Sequence, residues 1–161
     1  MPLDAICWGS RWAGPAGAVS AAPRSRRLPL SQPPPAEPTP LPTEFLARLV
    51  QSDTVLVTSR DGSREGTVRA WFVVSPPGVV YLFTSAFSVK AVRWRADSWV
   101  RLTVPGGAAS AEGRVHVVPQ ADVDVVAPLI VERWGMWGAT TPEGLKRLIR
   151  DREYVLVRVE G

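Results

Sequence analysis

The chain has 161 residues, of which 45% are hydrophobic and seven are tryptophan, and this is enough for one domain with a packed core. Its 19 basic and 15 acidic residues give a net charge of +4, an excess too small and too evenly mixed to indicate a nucleic-acid-binding protein. The single cysteine, Cys7, excludes an intramolecular disulfide and any zinc site built on thiolates.

The N-terminal region is rich in proline. Ten of the sixteen prolines precede Thr43, and proline opposes both helices and sheets because its φ is fixed and it has no N–H donor. Residues 1–42 are therefore predicted to form a disordered tail, followed by one domain over residues 43–161. The tail lacks the basic and then apolar pattern of a secretory signal, and no stretch of about 20 apolar residues could span a membrane, so the expected compartment is the cytoplasm.

The first half of the domain has the pattern of a short helix followed by three strands. Asp61-Gly62 is suited to the positive φ angles of a hairpin turn, and Ser75-Pro76-Pro77-Gly78 ends the second strand. Strands joined by such tight turns indicate an antiparallel meander. The predicted elements are a helix over residues 43–50 and strands over 54–60, 67–74 and 79–83.

The second half alternates helices with strands. A basic helix after the third strand is expected to pack through Phe87, Ala91 and Trp94, and Pro128 is expected in the first turn of a later helix, with Asp124 as its cap. The remaining elements are strands over residues 98–105, 110–118 and 154–159 and helices over 121–134 and from 141 onward. Together these elements predict a mainly β (α+β) fold, a small six-stranded antiparallel β-barrel with short flanking helices.

The polar side chains give little support for acid–base or nucleophilic catalysis by the protein itself. The only histidine, His116, alternates with Arg114 and Glu112 on a polar strand face, which is typical of a solvated side chain. No Gly-x-Ser-x-Gly elbow and no cluster of carboxylates is present, so neither a serine hydrolase nor a metal site is expected. The sequence favours ligand binding, or a reaction whose chemistry is supplied by a cofactor.

The exit of the third predicted strand carries the strongest ligand-binding signal. Thr84 and Ser85 end the strand, and Ser88, Lys90 and Arg93 place a hydroxyl and two cations in the first turns of the next helix. The free backbone N–H groups of a helix N-terminus also favour an anion. This segment is predicted to bind a phosphate group.

Three parts of the sequence together resemble one known family. They are Asp61-Gly62, Ala70-Trp71-Phe72 and the spacing Phe-Thr-x-x-x-Ser-x-Lys over residues 83–90. In this combination the chain, over roughly residues 43–134, is similar to the flavin-binding split barrel family related to pyridoxamine 5′-phosphate oxidase, in the subset that uses FMN or the deazaflavin coenzyme F420. The resemblance implies a homodimer with the cofactor at the subunit interface.

The resemblance also implies roles for individual residues. The phosphate side would comprise Thr84, Ser85, Ser88, Lys90 and Arg93, and the ring side Arg69, Ala70 and Trp71. Where the oxidase pattern has basic residues, this chain has Val68 and Val89.

Two functions follow. One is an oxidoreductase that transfers hydride to or from a small organic substrate, with no catalytic protein residue. The other is a module that carries a cofactor, haem or another ligand without turnover. Trp134 and Trp137 are expected in the core or at a dimer contact.

Overall fold

The computed structural model describes residues 38–107, 109–135 and 139–161. In this part of the chain six antiparallel strands form a closed barrel in the order β1-β2-β3-β6-β5-β4, which confirms the predicted fold class. The strands are β1 Val55–Asp61, β2 Arg64–Ser75, β3 Val79–Ser85, β4 Trp99–Thr103, β5 Ser110–Val117 and β6 Tyr154–Glu160. The helices are α1 Thr43–Leu49, α2 Val89–Ala96, α3 Gln120–Trp134 and α4 Pro142–Arg150.

The last strand closes the barrel. β6 pairs with β3 on one side and with β5 on the other, while β1 joins β2 to β4. The β1–β2 hairpin turns at Gly62, whose φ of +60° is accessible to glycine without strain. The C-terminal strand therefore lies directly beside the third strand, whose end carries the predicted binding segment.

Two hydrophobic clusters hold the strands and helices together. The first fills the barrel interior, and Trp94 of α2 belongs to it, so this helix covers an end of the barrel. The second lies outside the barrel, where α3 and α4 pack on side chains such as Tyr81 and Leu156. Because β3 contributes to both clusters, it is buried on both faces and rigidly placed. None of the helices in the described ranges is long and apolar enough to cross a membrane.

Two helix assignments from the sequence are wrong in detail. Phe87 does not pack with Ala91 and Trp94: it lies at the tip of a turn before α2 and is 83% exposed. The turn forms because the Ser88 N–H donates to the Ser85 carbonyl, so the helix begins only at Val89. Likewise α3 begins after Pro119 without an Asp124 cap, which leaves Pro128 inside the helix.

The packed chain begins before Thr43. Leu41, within the predicted tail, is only 3% exposed and belongs to the barrel core. The Gly161 N–H also donates to the Thr39 carbonyl at 3.0 Å, which ties this segment to the end of β6. Residues 1–37 and Trp137 lie outside the described residues, so the disordered tail remains a prediction over residues 1–37.

Candidate functional site

A groove of about 430 Å³ lies where β2, β3 and β6 run side by side next to the start of α2. The strand register brings Trp71 of β2 opposite Phe83 of β3, and Ser85 of β3 opposite Tyr154 of β6. Five of the eight predicted site residues line one groove as a result. The lining consists of Arg69, Trp71, Phe83, Thr84, Ser85, Lys90 and Tyr154.

Two pairs of stacked aromatic rings support the groove. Trp71 stacks on Trp134 of α3 with ring centroids 5.6 Å apart, and the indole N–H of Trp134 donates to the Phe72 carbonyl at 3.1 Å. Phe83 stacks on Tyr154 at 4.8 Å with an interplanar angle of 10°. Stacking fixes the ring orientations, so the groove has aromatic surfaces of the kind that bind a planar ligand.

The hydroxyl groups at the strand exit are organised around the start of α2. Ser88 is the N-cap of this helix, and its Oγ accepts from the Ala91 N–H at 3.3 Å. Thr84 Oγ1 donates to the same Oγ at 3.2 Å, and Ser85 Oγ accepts from the Phe87 N–H at 3.4 Å. Ser88 therefore holds the Thr84 side chain through a hydrogen bond and does not itself line the groove.

Lys90 is a cation of the groove lining, and burial shifts its pKa. Its Nζ donates to the Arg69 carbonyl at 3.3 Å, which links α2 to β2. Burial lowers the pKa of Lys90 because it disfavours the charged form. Among the residues that the structure describes, no carboxylate forms an ion pair with Lys90 or lines the groove. A partly desolvated cation without a counter-charge favours an anionic ligand.

Arg93 and Ala70 lie outside the lining. The guanidinium of Arg93 rests on Gly66 of β2, where a Cβ would collide with it, and its buried Nε has no hydrogen-bond partner in the described part of the chain. Ala70 alternates with Arg69 and Trp71 along β2, so its side chain points into the barrel core. Of the two predicted phosphate cations, only Lys90 lies in the groove.

Comparison with known proteins matches the fold to solved structures. No family model and no curated protein matches the chain. HutZ, the heme storage protein from Vibrio cholerae, aligns with a TM-score of 0.55 and 18% identity over 76% of this chain and 90% of its own. A FAD-binding protein from Mesorhizobium loti aligns with a TM-score of 0.54 and 16% identity over 73% and 86%. A Listeria innocua protein provisionally named pyridoxamine 5′-phosphate oxidase aligns with a TM-score of 0.52 and 15% identity over 72% and 89%.

The chain has the split-barrel fold of the pyridoxamine 5′-phosphate oxidase-like proteins. This confirms the family fold that the segments around Asp61-Gly62, Trp71 and residues 83–90 imply. At these identities the likeness concerns the fold alone, and the proteins that share it include one that binds FAD and one that stores haem.

Two contributors to the groove of this split barrel were missed from the sequence. Tyr154 was predicted only as the first residue of the last strand, and Trp134 only as a core or dimer residue. Both reach the site through long-range pairing, with Tyr154 beside Ser85 and Trp134 against Trp71. The position of Tyr154 at the groove could have been inferred from barrel closure, because closing a six-stranded barrel can pair the last strand with an inner strand.

Proposed function

We propose that this protein is an oxidoreductase that binds FMN or coenzyme F420 in the groove and transfers hydride to or from a small organic substrate. The observation that carries the proposal is the composition of the groove lining. Lys90, Thr84 and Ser85 lie at the strand exit, and Trp71, Phe83 and Tyr154 supply aromatic surfaces in the same groove. A cation and a hydroxyl group complement a phosphate, and aromatic surfaces complement a flat tricyclic ring. The fold shared with a FAD-binding protein supports the same reading.

The environment of each of these side chains fits a particular role in cofactor binding. Lys90 would neutralise the cofactor phosphate, since it lacks a carboxylate partner among the described residues. Ser85 would donate a hydroxyl hydrogen bond to the same phosphate, while the Thr84 hydroxyl, which donates to Ser88 Oγ, would tie the strand exit to the start of α2. Trp71 and Tyr154, each held by a stacked neighbour, would orient the ring and exclude water from it. The bound ring supplies the hydride chemistry, so no protein nucleophile is needed.

The alternative function is a carrier of a cofactor, haem or another ligand without turnover. HutZ, a heme storage protein, has the same fold, and Val68 and Val89 stand where the oxidase pattern has basic residues. The structure gives a reason to prefer a flavin to haem. The only histidine of the chain, His116, lies on the barrel exterior beside Glu160 at 3.5 Å and does not line the groove, so the groove offers no imidazole to haem iron.

We further propose that the protein is a cytoplasmic homodimer with the cofactor at the subunit interface. Three apolar side chains at the start of α2, close to the groove, are exposed to solvent: Phe87, Val89 and Val92. Exposed apolar side chains that are near one another mark interaction surfaces. Sedimentation equilibrium should give twice the chain mass of 17.5 kDa. A monomer at all concentrations, with and without FMN, would contradict this assembly.

Titration of the purified protein with FMN, coenzyme F420 and haem separates the two functions. We expect FMN or F420 to bind with quenching of tryptophan fluorescence, because Trp71 lies in the groove wall. Reduction of the bound cofactor and its reoxidation by an organic acceptor would then support the oxidoreductase. Binding without any such turnover would favour the carrier. Failure of both flavin-type cofactors to bind would rule out the proposed enzyme.

A further inference from the structure

A second cleft, of about 400 Å³, adjoins the groove at Tyr154. It lies among the end of β5, the start of β6 and the last turn of α4, and apolar side chains such as Val117, Val155 and Ile149 form much of its lining. Val117 is 73% exposed although it is fully apolar. Two cations, Arg95 and Arg152, complete the lining, and no carboxylate among the described residues belongs to it.

The two arginines of this cleft differ from their neighbours in having no counter-charge. Arg147 and Arg150, on the preceding turns of α4, both lie within 4 Å of Asp151. In the ranges that the structure describes, neither Arg95 nor Arg152 forms an ion pair. Arg95 uses one nitrogen, Nη2, to bind the Ala86 carbonyl at 2.9 Å. Its other N–H groups and the guanidinium of Arg152 are left to bind an anion.

Arg152 also has a backbone conformation that glycine would adopt at a lower free-energy cost. The Glu153 N–H donates to the Leu148 carbonyl at 3.0 Å and the Arg152 N–H to the Ile149 carbonyl at 3.1 Å, the pattern of a Schellman helix end. This pattern puts Arg152 in the left-handed region with φ of 61°, and within the described residues it is the only non-glycine with positive φ. A strained position that keeps a long cationic side chain at a cleft is expected where that side chain has a binding role.

We propose that this cleft binds an organic carboxylate with an aromatic or branched aliphatic body. The carboxylate would accept hydrogen bonds from Arg95 and Arg152, whose guanidinium groups match its geometry. The apolar body would cover Val117, Val155 and Ile149, and thereby remove their surface from water. The cleft shares Tyr154 with the cofactor groove, but its two cations, Arg95 and Arg152, are not part of the groove lining, so 2-naphthoate binding can be tested without a flavin.

The first test is calorimetric titration of the full chain with 2-naphthoate and with neutral 2-naphthamide. We expect 2-naphthoate to bind with a dissociation constant on the order of 10–500 µM, as suits a small ligand with one ion-paired group. The amide should bind at least about 10-fold more weakly, because it lacks the charge that the arginines recognise. Equal binding of the two compounds, or no binding of 2-naphthoate, would overturn the proposal.

The second test uses Arg152→Gly, for which binding and stability should change in opposite directions. The variant should weaken 2-naphthoate binding at least about 10-fold, and it should raise Tm by about 1–4 °C because glycine relaxes the left-handed position. Arg150→Gln removes the same charge two residues away, outside the cleft, and should leave the dissociation constant within about twofold. Lys90→Gln should also leave it unchanged.

If Arg152→Gly binds 2-naphthoate as tightly as the unmodified protein does, the proposed site is wrong. If only Lys90→Gln loses binding, 2-naphthoate binds in the cofactor groove and the proposal is also wrong. If 2-naphthoate does not bind and Val117→Asp dissociates a dimer, the cleft is a contact between two copies of the chain. That result would also overturn the proposal.

Discussion

Replacement of Lys90 with glutamine should weaken FMN binding about 10- to 100-fold, which corresponds to about 1.5–3 kcal/mol for a lost charge-assisted hydrogen bond. Lys90 is the only lysine in the groove lining, and Arg93, the other cation predicted there, rests on Gly66 instead. Arg69, the other cation of the lining, is assigned to the ring side, so the phosphate would lose its main counter-charge. Glutamine keeps a similar length and a hydrogen-bond donor, so the change isolates the charge.

Lys146 provides a matched control for this experiment. It is the only other lysine of the chain, and it forms an ion pair with Asp124 at 2.8 Å, outside the groove lining. Lys146→Gln should change the FMN dissociation constant by less than about twofold. Equal dissociation constants for Lys90→Gln and the unmodified protein would remove Lys90 from the site.

The same lysine should make FMN affinity depend on pH. Because burial lowers the pKa of Lys90 below its ordinary value of 10.5, charging this group costs stability in the folded state. This loss of folding stability is fully present below the folded-state pKa of Lys90. It decreases as the pH rises from that pKa toward 10.5. A bound phosphate would favour the charged form, so FMN affinity should fall as pH rises through the lowered pKa. Lys90→Gln should lack this component, and its Tm near neutral pH should not be lower than that of the unmodified protein.

Replacement of Gly113 with valine should reduce the free energy of unfolding by about 3 kcal/mol, in the range of severe overpacking. A Cβ at Gly113 would collide with the backbone carbonyl oxygen of Glu160, and it would lie 3.2 Å from Val159 Cγ1. The carbonyl cannot turn away, because β5 and β6 pair through Arg114 with Glu160 and Val115 with Val159. The substitution therefore forces apart the two strands that close the barrel.

Gly66→Ala is the control for this substitution, because Gly66 is also a strand glycine with a close neighbour. Its Cβ would meet the guanidinium of Arg93, the flexible end of a long side chain that can move. We expect a loss below about 1 kcal/mol. Urea unfolding followed by far-UV circular dichroism measures both variants. Similar midpoints for Gly113→Val and Gly66→Ala would show that the β5–β6 contact does not limit the stability of the barrel.

The strands were predictable because the signals that define them are local. Alternating β-branched residues and the turns at Gly62 and Gly106-Gly107 place all six strands within a few residues of their observed positions. The strand order is not local. It depends on β6 pairing with β3, about 70 residues earlier in the chain, and no short pattern in the sequence specifies that partner.

The segment that forms the candidate site was predictable from the sequence, but the placement of some of its side chains was not. Residues 83–90 indicated the groove, and Thr84, Ser85 and Lys90 line it. Ser88 caps α2 instead, because a helix that begins at Val89 needs an acceptor at that position. Arg93 lies one turn further along α2 than Lys90 and rests on β2 at Gly66. Helix phase and strand parity, which depend on where each element begins, decide these details.

A crystal structure of the protein with FMN would show whether the groove between β2, β3 and β6 is a cofactor site. We expect density for the phosphate within about 3 Å of Lys90 Nζ, near Ser85, with the ring against Trp71 and Tyr154. Density for FMN at another place on the barrel, or a groove that stays empty at saturating FMN and at saturating F420, would contradict this assignment.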